Sequence, residues 1–155
     1  MSKILTVWIL LLRLSVGGFW LFFASQRWLD RSWVRELFTT AAEGNYIPLY
    51  GDLLRSLTPS WDILVLVITL IETAVGLMII LGVYPRAAAL LGAAVALNLW
   101  LTFVFCDCWW NRADAPQVFW FYFSALLLNL AVLREKSPLR IIPFKRKRPA
   151  SHVGP

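Results

Sequence analysis

Four apolar runs, each near 20 residues long, dominate this 155-residue chain and narrow what it can fold into. A run of about 20 residues is long enough, as a helix, to cross a hydrocarbon core about 30 Å thick. Helices also satisfy their own backbone hydrogen bonds, which lipid demands. The runs cover residues 4–25, 61–83, 86–105 and 116–133. They predict an all-α membrane protein, a bundle of four transmembrane helices occupying residues 1–133. Charged residues make up only 15% of the chain and hydrophobic ones 59%, whereas soluble domains carry about a quarter charged residues. Too little chain remains for a separate soluble domain. The first run reads as a retained helix rather than a signal peptide. It is too long, contains Arg13 and is followed by no small-residue cleavage site.

Between the first two runs, residues 27–60 form a long connection, read as an extracytoplasmic cap; connections of this length are often functional. Its first part is amphipathic. Trp33, Val34, Leu37, Phe38, Ala41 and Ala42 fall on one helical face, with charged and hydroxyl residues opposite. The spacing predicts a helix lying on the membrane surface. Asp52 and Arg55 suggest a further helical turn before Pro59. A tight turn, Gly82-Val83-Tyr84-Pro85-Arg86, separates the second and third runs, and Pro116 suits the first turn of the fourth. Most of the net charge of +6 lies in the tail, residues 134–155. Lys3, Arg86 and that tail fall on one side, which the charge bias of membrane insertion makes cytoplasmic. Both termini are therefore placed in the cytoplasm, and the membrane is read as a prokaryotic plasma membrane. The basic tail reads as a topology signal that touches anionic lipid, and no nucleic-acid partner is expected. Trp8, Trp28, Trp61, Trp109 and Trp110 fall near the expected interfaces, as aromatic belts do.

Arg13 and Glu72 carry the most functional weight, because an ionisable group inside a span is costly and usually faces the bundle interior. Counting rises of about 1.5 Å per residue from the cytoplasmic ends places Arg13 about 14 Å deep, Glu72 about 16 Å and Asn98 about 18 Å. The first two spans are antiparallel, so Arg13 and Glu72 are expected to pair in a polar midplane layer. One reading makes this layer the floor of a pocket. Arg13 or Asn98 would donate to a quinone head group and Glu72 would handle protons. The other makes it a buried ion pair that locks helix packing. Gly17, Gly18, Gly76, Gly92 and the alanines near it mark close helix contacts. The run Phe119-Trp120-Phe121-Tyr122-Phe123 lines a pocket or faces lipid or a partner.

Cys106 and Cys108 form a C-x-C at the outer surface, readable as a redox pair or as two ordinary cysteines. Zinc is not expected, since no histidine lies near them to complete a tetrahedral site. Haem is not expected either: His152, in the tail, is the only histidine. There is no P-loop, dinucleotide fingerprint or Ser-His-Asp constellation. Redox chemistry would therefore have to use the cysteines or a bound quinone.

Two stretches resemble the DoxX/DoxD family of small four-helix membrane proteins. The first, Arg13-Leu-Ser-Val-Gly-Gly-Phe-Trp-Leu-Phe-Phe-Ala-Ser-Gln-Arg27, is similar to the family's opening span. There an Arg-Leu-x-x-Gly start leads to an apolar run and a basic residue. The second, residues 70–92, is similar to its central glutamate (Glu72), glycine-rich helix and Gly-x-x-x-Arg turn. The resemblance implies a four-helix bundle linked to membrane redox systems, as in the membrane subunit of thiosulfate:quinone oxidoreductase. It also implies partners among membrane or extracytoplasmic redox subunits, with Arg13 and Glu72 on motif positions. Where relatives often have Gly-x-x-Lys, this chain has Ala24-Ser25-Gln26-Arg27. The expectation is a membrane subunit linked to quinone or sulfur/thiol redox chemistry. The alternative is a non-catalytic accessory subunit of a larger respiratory or photosynthetic complex.

Overall fold

The structure, a computed structural model, describes residues 3–106 and 115–134. Among these the chain is all-helical: α1 Lys3–Leu29, α2 Ser32–Glu43, α3 Pro48–Leu57, a 3-10 turn Thr58–Ser60, α4 Trp61–Leu81, α5 Pro85–Val104 and α6 Ala115–Leu133. Three helical stretches are long and apolar enough to cross a membrane: Ile4–Leu29, Pro48–Leu81 and Pro85–Val104. The second runs α3, the 3-10 turn and α4 together. Gln117–Leu133 is a shorter apolar helix. Large apolar side chains such as Phe22, Ile63, Leu70 and Leu90 point outward, a surface suited to lipid rather than water.

The long helices begin and end where the local chemistry dictates. Gly82 adopts a left-handed conformation (φ 69°) and ends α4. Its N–H donates to Ile79 O and that of Val83 to Met78 O, so the last carbonyls of the helix are satisfied. Pro85 then opens α5 at a position where its missing N–H costs nothing. α1 differs from expectation. It runs on past Ser25 to Leu29, so Arg27 belongs to the helix rather than to the cap.

The core draws on all four long helices. Val16 and Trp20 of α1 pack with Val75 and Ile79 of α4, with the alanines of α5, and with Ala125 and Val132 of α6. α1 pairs mainly with α4, and α5 with α6. The α1–α4 register is set by two glycines. A Cβ on Gly76 would lie 2.9 Å from the Gly17 carbonyl oxygen, and one on Gly17 would lie 2.8 Å from that of Gly76. The backbones touch here as small residues allow. Gly18, expected to serve the same contact, faces open space. Gly92 admits the close approach of Asn129 and Trp20. There the Trp20 indole donates to Asn129 Oδ1 at 3.2 Å, and Asn129 Nδ2 donates to Ala125 O at 2.7 Å.

The helix expected to lie on the membrane surface is α2, but its apolar face is buried against protein. Val34, Phe38 and Ala42 pack with Leu54, Trp61 and Val65, and Ala41 packs with Phe103 and Cys106. Trp61, expected at an interface, is buried under this cap. The expected turn at Asp52 and Arg55 is α3, where those two side chains pair. The cap is tied to the end of α5 by Tyr46 N–H donating to Phe105 O (2.6 Å) and by Asn45 Nδ2 donating to Leu101 O (3.2 Å). Trp109 and Trp110, and the basic tail beyond Arg134, lie outside the described residues.

Two outcomes test this arrangement. Gly76→Leu would force the α1–α4 backbones apart and cost about 1–3 kcal/mol, whereas Gly18→Ala should stay within about 0.5 kcal/mol of wild type. Thermal unfolding in mild detergent compares them. At the start of α2, Asp30 accepts hydrogen bonds from the Ser32 N–H and hydroxyl, each at 2.8 Å. The backbone bond first, then the hydroxyl, holds its carboxyl below the ordinary 3.8. A lowered native pKa contributes stability above the ordinary value and loses it as pH falls through the native one. Asp30→Ala should therefore speed amide exchange at the start of α2 at neutral pH, and the difference from wild type should vanish at strongly acid pH.

Candidate functional site

A cavity of about 340 Å³ opens beneath the cap, walled by α1, α2, α4, α5 and α6. Its size lies at the lower end of the ~300–1,000 Å³ usual for small-molecule sites. Aromatic rings form much of the wall, among them Phe19, Trp20 and Phe23 from α1, Phe38 from α2, and Phe121 and Tyr122 from α6. Phe19 and Phe23 both pack against Phe121, tilted and edge-on, at 5.4 and 5.3 Å between centroids. Val34 and Leu37 of α2 close the roof, with Trp61 beside them. The polar groups are few, as is usual in such sites: Arg27, Glu72, Asn98, Thr102 and Gln117, with Tyr122.

Arg27 and Glu72 form a buried ion pair across α1 and α4, Nη1 donating to Oε2. The helical Cα–Cβ bond tilts toward the N-terminus, so Arg27, near the end of α1, reaches back along the helix to Glu72. Glu72 is 0% exposed and Arg27 5%. Glu72 Oε1 has no hydrogen-bond partner among the described residues. The nearby hydroxyls are committed elsewhere: Thr69 Oγ1 donates to Val65 O (2.6 Å) and Thr73 Oγ1 to Thr69 O (2.7 Å). Thr73 in turn accepts from the Trp28 indole at 3.2 Å. On the facing wall, the Tyr50 hydroxyl donates to Asn98 O (3.1 Å) and lies 3.0 Å from Thr102 Oγ1.

The expected pairing of Glu72 with Arg13 is replaced by one with Arg27. Glu72 and Asn98 line the same cavity, and residues 27–60 do roof it. Arg13 does not join them. It is buried, but it lies fourteen residues before Arg27 on α1, about 21 Å away along the axis. The depth count set α1 and α4 flush at their cytoplasmic ends. The Gly17–Gly76 contact instead slides α1 past the end of α4, so Arg13 falls level with the α4–α5 turn. Arg27 was overlooked because hydropathy ended the span at Ser25 and left it in the cap. The signal that could have found it was the basic residue closing the first resembling stretch. Cys106 is fully buried and disulfide-bonded. It packs with Ala41 and Phe103 and is not part of the cavity wall. Cys108 lies outside the described residues. No group of three His, Cys, Asp or Glu residues capable of holding a metal occurs among the described residues.

Comparison with protein-family models, curated proteins and solved structures gives no match to this chain. The chemistry of the site therefore rests on its own geometry. An aromatic slot with one ion pair at its side suits a flat, largely apolar ring with a polar edge. Arg27 supplies donors and Glu72 a spare acceptor.

The pairing is open to a double-mutant cycle. Arg27→Met alone strands a buried carboxylate and should cost about 3–5 kcal/mol, while Arg27→Met with Glu72→Met together should recover most of that loss. Arg13→Met combined with Glu72→Met should be additive. Unfolding free energies in detergent give the coupling, and a large Arg13–Glu72 coupling would contradict the pairing described here.

Proposed function

We propose that this chain is a four-span membrane protein of the prokaryotic plasma membrane, with α6 as the fourth span and both termini cytoplasmic. Within that frame it is a quinone-binding subunit of a DoxX-like redox system, working with membrane or extracytoplasmic partners. The observation that carries the reading is the unpartnered Glu72 oxygen beside Arg27 in an aromatic cavity. A buried carboxylate oxygen left without a hydrogen bond costs free energy that a bound polar group removes. A packing lock alone gives no reason to leave that oxygen unsatisfied, since the large majority of buried polar atoms are paired within the protein. The aromatic walls suit the ring of a quinone or its quinol, and Arg27, paired with Glu72 in place of Arg13, is the donor for a ring oxygen. A link to sulfur or thiol chemistry rests on Cys106 and Cys108 alone and is not tied to the cavity.

The second reading, a non-catalytic accessory subunit of a respiratory or photosynthetic complex, draws on α6. Its Trp120 is 60% exposed beside Phe119 and Phe123, a surface that a neighbouring subunit would cover.

Solvent extraction and mass spectrometry of the protein purified in mild detergent separate the two. Wild type should carry quinone, counted as oxidised plus reduced forms, in a reproducible ratio. Glu72→Met and Arg27→Met should each lower that ratio severalfold, and Arg13→Met should leave it unchanged. Quinone content that ignores both cavity substitutions, or larger subunits co-purifying with no small molecule, would overturn the quinone reading in favour of the second.

A further inference from the structure

We infer that the cavity selects the hydroxyl-bearing, reduced form of its ring ligand, a quinol, over the oxidised quinone, and that it rejects anions. The inference rests on the quinone-site reading above and concerns which ligand chemistry that site takes.

Three observations carry it. First, Arg27 and Glu72 neutralise one another, so the cavity offers no net positive charge to an anion. An anion approaching Glu72 would instead meet a carboxylate oxygen with no intervening donor. A sulfur oxyanion is therefore a poor occupant. Second, the group left unsatisfied is an acceptor. As the carboxylate of an ion pair with Arg27, Glu72 can only accept hydrogen bonds. Third, neither nearby threonine supplies the missing proton, because Thr69 and Thr73 donate to their own helix. Among the described residues no donor reaches Glu72 Oε1, so a ligand seated against it brings one. A quinone presents only carbonyl acceptors, so its oxygen would face Glu72 Oε1 acceptor to acceptor. A quinol hydroxyl donates to Oε1, and its own oxygen can still accept from Arg27. Such charge-assisted O–H···O⁻ bonds are about twice as strong as neutral ones. The difference should amount to roughly tenfold or more in affinity.

Titration calorimetry on the wild-type chain in mild detergent, without oxygen, tests this with three probes of matched shape. These are a short-chain para-benzoquinol, the corresponding quinone and the quinol's dimethyl ether, which keeps the ring but has no donor. The expected order is quinol tightest, with quinone and dimethyl ether each at least about tenfold weaker. In Glu72→Gln, whose side-chain amide can also donate, the preference for quinol should shrink or reverse. Quinone binding as tightly as quinol, or dimethyl ether matching quinol, would overturn the selectivity while leaving the quinone site standing. If none of the three binds wild type, the quinone-site reading itself falls. The wild-type comparison does not depend on how the Glu72 variant folds.

Discussion

A carboxylate buried among helices must find a cation, and much of this protein's arrangement follows from how Glu72 finds Arg27. Removing both charges from water costs several kcal/mol per ion, and only close pairing offsets it. The pair therefore fixes the end of α1 against the middle of α4 and keeps α1 helical past the point where hydropathy ends. It sets the charged edge of a cavity that is otherwise aromatic. Its geometry is incomplete in one respect, the spare oxygen of Glu72, and the proposed binding role rests on that gap.

The ion pair can form only because two glycines let the same helices touch. With Gly17 against Gly76, α1 and α4 approach closely at one level, and the side chains above and below are placed by the helical repeat. Leu21 rests on Gly76, and Arg27 lies above it at the level from which Glu72 can be reached. On the other side of the core, Gly92 gives the Trp20–Asn129 hydrogen bond its room. That bond ties α1 to α6, while Val34 and Phe38 of α2 close the cavity from above.

Much of this was legible in the residues. Runs of about 20 apolar residues place α4, α5 and α6 within a residue or two, because lipid-like helices are signalled by length and hydropathy. The 3.6-residue period of residues 31–43 foretells α2. What period cannot say is what an apolar face meets, and α2 turned out to cover the bundle's own aromatic residues. Glu72 and Asn98 were legible as polar residues within apolar helices. Arg13 satisfied the same criterion and was misleading, because sequence depth is measured from helix ends and those ends are not flush. The offset is written in Gly17 and Gly76, but only as two small residues among several, and Gly18 was as plausible a contact from sequence. Asn129, a central polar tie, stands in the sequence as one amide in a leucine-rich run, with nothing local to distinguish it.

The offset of α1 also bears on how the molecule sits in its solvent. Gly17 meets Gly76 and Ile80 near the end of α4, so the first three turns of α1 continue beyond the α4–α5 turn, with Ile4 and Trp8 exposed. Among the described residues, α1 thus overruns α4. A flat slab of hydrocarbon cannot match both lengths at once, so the bundle must lean or the leaflet must thicken on that side, at a fraction of a kcal/mol per ångström. Bilayer thickness therefore becomes a variable to which the offset between α1 and α4 responds.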